Sequence, residues 1–145
     1  MQDPTGDLPW DEDENAVDVE HLSDPATFNK FLKDDKAKKA IIMFYAPWYE
    51  KSRFVHRNRV KIILFRCGFC KRMKPDYQEA ATEVKSDSLG TLAAIDVTKT
   101  GNNVVSRKYN ITGFPTLLFF ENGKLSYPYP GEKSIVFFCQ LILQS

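Results

Sequence analysis

The chain has 145 residues and a mass of 16.7 kDa, the size of one domain with room for a tail. Its residues are 43% apolar and 13% aromatic, enough to close a core, which excludes disorder of the whole chain. The net charge of +1 hides an asymmetry: residues 1–20 carry eight Asp or Glu and no Lys or Arg, whereas residues 49–66 carry six Lys or Arg against Glu50 alone.

Residues 1–16 are rich in Pro, Gly, Asp and Glu without periodicity, so they read as an acidic linker or tail, with Trp10 the one side chain suited to packing. They lack the basic start and apolar centre of a signal peptide. Residues 17–22 alternate like a short strand. Ser23-Asp24-Pro25 then offers a capping side chain followed by proline in a first turn, and Phe28, Phe31 and Leu32 form the inward stripe of a helix expected to end near Asp35. Residues 39–46 are an almost unbroken apolar run, the pattern of a central strand covered on both faces. A helix is expected from Cys70 to about Lys85, with Pro75 kinking it. Further strands are expected over 91–97 and 116–120, and a helix over 102–109 with Val104, Val105 and Tyr109 inward. Asn122-Gly123 is a hairpin signal returning the chain into a strand over 124–129, and 132–145 completes the pattern as a helix by position. Alternating units followed by a hairpin give an α/β sandwich, a mixed sheet with helices on both faces. No apolar run approaches the roughly 18 residues that cross a bilayer, so no membrane partner is expected.

Cys67-Gly-Phe-Cys70 carries the chemistry. Two thiols at this spacing can close into a disulfide across one helical turn. The first would sit where unpaired backbone N–H groups and the helix dipole favour an anion, lowering its pKa. The second would attack a mixed disulfide formed by the first and release the product. Lys71, Arg72 and Lys74 add positive charge. Three readings compete. Half a zinc site needs two more ligands, and Cys139, His21 and His56 are scattered without ligand spacing. Inert core cysteines and a structural disulfide stand as the others, although so tight a loop constrains the unfolded chain little. Redox chemistry fits best, since CxxC before a helix in a βαβ pattern is a redox signature. It calls for no cofactor and no metal.

Phe44-Tyr-Ala-Pro-Trp48, Cys67-Gly-Phe-Cys-Lys71, Pro75, Ile111-Thr-Gly-Phe-Pro-Thr116 and Phe120-Glu-Asn-Gly123 together resemble a thioredoxin domain of the protein disulfide-isomerase family. The resemblance covers residues 2–48 and 67 to about 133. It implies a thioredoxin fold in the endoplasmic reticulum lumen, within a longer secretory-pathway protein, making, reducing and isomerising disulfides of protein substrates. On it, Cys67 is the nucleophile and Cys70 the resolving thiol. Trp48, Phe114 and Pro115 contact substrate, with Pro115 as a cis-proline, and Lys133 tunes the thiol pKa from a place where the family carries Arg. The family often has a buried Glu and a Lys partner where Met43 and Ala94 stand, which implies slow release of mixed disulfides. Phe69 in place of a frequent His implies a weaker oxidant.

In the family, tryptophan runs directly into the CxxC. Here 18 residues, 49–66, intervene, and their deletion restores Ala-Pro-Trp-Cys-Gly-Phe-Cys-Lys in frame. Such a segment is expected from retained non-coding sequence or a splice variant, which transcripts read across the Trp48–Cys67 junction would check. Closing a loop of this length costs on the order of 2–3 kcal/mol, tolerable in a domain stable by about 5–15 kcal/mol. The alternative function is a thioredoxin-like binding module whose active site the insert displaces or covers. The basic block by itself reads as a solvated segment, with no nucleic-acid partner expected.

Overall fold

The computed structural model describes residues 10, 14–46, 68–86, 90–99 and 101–128. The insert 49–66 and the closing segment 132–145 lie outside them. Five strands, β1 (Glu20–Leu22), β2 (Lys39–Tyr45), β3 (Thr91–Asp96), β4 (Thr116–Glu121) and β5 (Lys124–Pro128), form one sheet in the order β1-β3-β2-β4-β5. β3 is parallel to β1 and β2, while β4 and β5 are antiparallel additions. This is the mixed α/β sheet the sequence implies. The apolar run of β2 earns its central place, every side chain from Ala40 to Tyr45 being buried.

Helix α1 (Pro25–Leu32) starts as its sequence dictates: Pro25 opens the first turn, and the Asp24 carboxylate accepts the Thr27 N–H at 2.7 Å. It stops at Leu32 instead of Asp35. The Asp34 side chain accepts the Lys36 N–H at 3.1 Å and starts a separate 3-10 turn, Asp35–Ala37, so local capping ends the helix early. Helix α2 (Gly68–Ser86) contains Pro75, and α3 (Asn103–Lys108) is six residues long.

The helices divide between the two faces. Tyr77, Ala80, Ala81 and Val84 of α2 pack with Ile41, Met43, Leu92, Ala94, Leu117 and Phe119. Phe28 and Phe31 of α1 and Val105 of α3 pack with Ile42, Phe44, Ala93, Ile95, Leu118 and Phe120 on the other side. Alternate residues of each strand go to opposite faces, as pleating requires. Val104 departs from expectation: it is 55% exposed, because so short a helix buries one row, taken by Val105, with Tyr109 half-buried beyond its end.

Two local details complete the frame. Asn122 and Gly123 both have positive φ, 54° and 78°, the backbone of a tight hairpin. Their N–H groups donate to Lys38 O and Ala37 O, and a Cβ on Gly123 would run into the Leu32 carbonyl oxygen, so glycine is required there. The acidic leader also enters the core: Trp10 is wholly buried, packs edge-on against Tyr45 and donates from Nε1 to Gln78 Oε1 at 2.8 Å, and Ala16 and Val19 join the same cluster.

Candidate functional site

The site is assembled at one end of the sheet. Helix α2 ends at Ser86 and β3 begins at Thr91, whose partner is Ala40 near the start of β2. So short a connection makes α2 run back against the strands, and its first turn stands at the C-terminal end of β2. Tyr77 fixes the height of the helix: its buried O–H is shared between Ile41 O at 2.9 Å and Ala93 O at 2.6 Å. Burial pushes the Tyr77 phenol above its ordinary pKa, so it stays neutral and keeps that donor.

β4 delivers the other wall. Thr116 pairs with Phe44, so Pro115, one residue earlier, is brought to the same end of the sheet as the end of β2. The Phe114–Pro115 peptide is cis, and Pro115 is buried. The preceding Phe114 is 42% exposed, and the Thr116 hydroxyl donates to Gly113 O at 2.7 Å, closing the turn that presents it. Val97 N–H donates to Tyr45 O at 3.1 Å and fastens β3 at this end. Below it, the buried Asp96 accepts from the Thr98 N–H at 2.9 Å and the Thr98 hydroxyl at 2.6 Å, while buried Asn102 donates to Asp96 O at 2.8 Å.

Of the residues singled out in the sequence, Cys70 falls in the first turn of α2, and Phe114 and Pro115 stand on the loop entering β4. Cys67, Trp48 and Lys133 lie outside the described residues. Met43 and Ala94 are register partners on adjacent strands, both fully apolar and both buried beneath α2. Lys74, read in the sequence only as one positive charge among several, is 95% buried, with 5% of its surface exposed. Among the described residues, no group of three His, Cys, Asp or Glu is arranged to hold a metal ion, and no helix is long and apolar enough to cross a membrane.

The thioredoxin family model matches residues 52–142. Mouse protein disulfide-isomerase A5 is 33% identical over 129 residues, covering 89% of this chain and 21% of the relative. Mouse protein disulfide-isomerase A6 is 33% identical over 117 residues, 81% of this chain and 22% of the relative. The chain thus spans about a fifth of the length of these curated relatives. The crystal structure of Fasciola hepatica thioredoxin superposes with a TM-score of 0.62 at 21% identity, covering 87% of this chain and 98% of the other, which attests the shared fold. A family-model match over residues 52–142, disulfide-isomerase relatives at 33% identity and a fold shared with a solved thioredoxin lead to one conclusion: the chain belongs to the thioredoxin family.

Proposed function

We propose that this chain is a thiol-disulfide oxidoreductase domain that acts on disulfides of folding proteins in the endoplasmic reticulum lumen. What supports this reading is that Gly68 to Cys70 of the Cys67-Gly-Phe-Cys70 motif open a 19-residue helix whose first turn stands at the sheet end where Pro115 enters β4. The helix terminus favours a thiolate at Cys67. That thiolate attacks one sulfur of a substrate disulfide; a Cys67–substrate bond forms and the other substrate sulfur leaves as thiolate. Cys70, deprotonated, then attacks the Cys67 sulfur. The Cys67–Cys70 disulfide forms, the substrate leaves fully reduced, and two electrons have passed from the domain to the substrate. The reverse sequence oxidises a substrate dithiol, and escape at the mixed-disulfide stage isomerises. Exposed Phe114 supports a role in holding an extended substrate beside Pro115, and Trp48 and Lys133 are assigned the substrate contact and the thiol tuning of the resemblance.

The 18-residue insert between Trp48 and Cys67 favours a second reading, a folded binding module with a displaced site. Insulin reduction by the full chain, by a form lacking residues 49–66, and by Cys67→Ser separates the two. Turnover by both unsubstituted forms and none by Cys67→Ser is the expected result. Turnover restored only by removing the insert overturns the enzyme reading for this chain.

A further inference from the structure

A short pattern beside the Pro115 turn takes no part in the thiol chemistry. Asn110-Ile111-Thr112 is an Asn-x-Thr triplet in which neither the central residue nor the following Gly113 is proline, and no second Asn-x-Ser or Asn-x-Thr triplet stands in the chain. What such a triplet can do depends on where the fold puts it. An asparagine that carries sugar must lie at the surface, on backbone that a bulky polar substituent leaves undisturbed.

The fold meets both demands. Helix α3 ends at Lys108, and Asn110 stands two residues on in the left-handed region, with φ 54°. The Ile111 N–H donates to Ser106 O at 2.8 Å and the Asn110 N–H to Arg107 O at 3.2 Å, the pair of bonds that closes a helix on a left-handed residue. Asparagine accepts that conformation more readily than most residues with a side chain. Ile111 is half-buried and packs on the cluster of Phe28, Phe44 and Phe120, which pins the triplet from beneath. Asn110 and Thr112, on either side of it, are exposed, and neither side chain makes a hydrogen bond among the described residues. Backbone bonds and one apolar side chain therefore hold the turn, and the Asn110 amide has no structural task that a substituent would disrupt.

We propose that Asn110 is an acceptor for N-linked oligosaccharide. Its Nδ2 forms a bond to the anomeric carbon of a lipid diphosphate-linked oligosaccharide. The bond from that carbon to the diphosphate oxygen breaks, the lipid diphosphate leaves, and the amide gives up one proton; nothing is oxidised or reduced. Thr112 supplies the hydroxyl two residues on that completes the acceptor triplet. The proposal rests on the lumenal reading given above, since this modification belongs to proteins of the secretory pathway. Four residues separate Asn110 from Phe114, a reach of about 14 Å even when fully extended, so the sugar borders the loop that presents the exposed Phe114.

The test is expression of the full chain behind a secretory leader, cleaved on entry, in cultured eukaryotic cells. Gel mobility is compared before and after peptide-N-glycosidase, and the peptide carrying Asn110 is weighed. A single shift that the glycosidase reverses, leaving Asp in place of Asn110, is the expected result. Thr112→Ala and Asn110→Gly should each abolish it. Asn110→Gly keeps the fold, glycine being the usual residue at a left-handed helix stop, and thermal unfolding of that variant checks this. An unmodified Asn110 in chain recovered from the secretory pathway overturns the proposal, as does a shift that survives either substitution. Protease protection of the natural protein in sealed microsomes tests the lumenal reading by itself. Digestion there rejects that reading alone, because the added leader makes the shift independent of it.

Discussion

The two faces of the sheet are built from different materials. Beneath α1 and α3 the core is largely hydrocarbon: Phe28 lies 6.1 Å from Phe44 and 6.4 Å from Phe120, and Tyr109 packs edge-on to Phe120 at 5.5 Å. Beneath α2, beside Ile41, Met43, Leu92 and Phe119, stand large side chains with polar handles. Trp10 reaches Gln78, Tyr77 reaches two strand carbonyls, and Lys74 is buried but for 5% of its surface. Hydrocarbon packing holds a fold with no demand on direction, whereas each handle on the α2 face must be aimed, and aiming fixes the height of the helix that carries Cys70. The first face supplies stability and the second supplies position.

The largest effect that would break this division belongs to the hydrocarbon face. Phe28→Ala should cost about 3–5 kcal/mol by urea unfolding, a large share of a domain's usual 5–15 kcal/mol. A loss below about 1 kcal/mol would mean that this face is not the main store of stability. Tyr77→Phe keeps the ring and removes only the donor to Ile41 and Ala93. It should cost about 1 kcal/mol, yet change Cys70 alkylation more than Phe28→Ala does at a temperature where both variants are folded. The reverse ranking would dissolve the distinction between holding and aiming.

The smallest effect is at the margins, and it is a matter of pH. The Thr82 hydroxyl, then Lys85, hold the Asp18 carboxyl below the ordinary value of 3.8. The Thr27 N–H does the same for Asp24 at the start of α1. Both folded values lie below the unfolded ones, so the stabilisation is complete above pH 3.8 and is lost as pH falls through the lowered values. Both groups are solvent-facing, so the slope should be shallow. Urea midpoints followed from neutral pH into acid should fall less for Asp18→Asn and Asp24→Asn than for the unsubstituted chain. Equal slopes would show that neither bond contributes.

What the sequence revealed follows the same division. Apolar runs, the Asp24-Pro25 start and the Asn122-Gly123 turn act within a few residues of chain, so strands, α1 and the hairpin could be read directly. Trp10 could not be placed beyond local packing, because its partner Gln78 is 68 residues away and its acidic surroundings resemble a solvated tail. Lys74 was hidden by composition: within a run of basic residues after Cys70, nothing in the sequence marks it as buried. Val104 and Val105 are equivalent in sequence, and the brevity of α3 decides between them.

The central claim concerns the leading sulfur of the motif, and its alkylation rate as a function of pH tests it most directly. In the full chain bearing Cys70→Ser, the helix terminus should bring the Cys67 midpoint at least about one pH unit below the ~8.5 of free cysteine. A midpoint at or above that value would contradict the account.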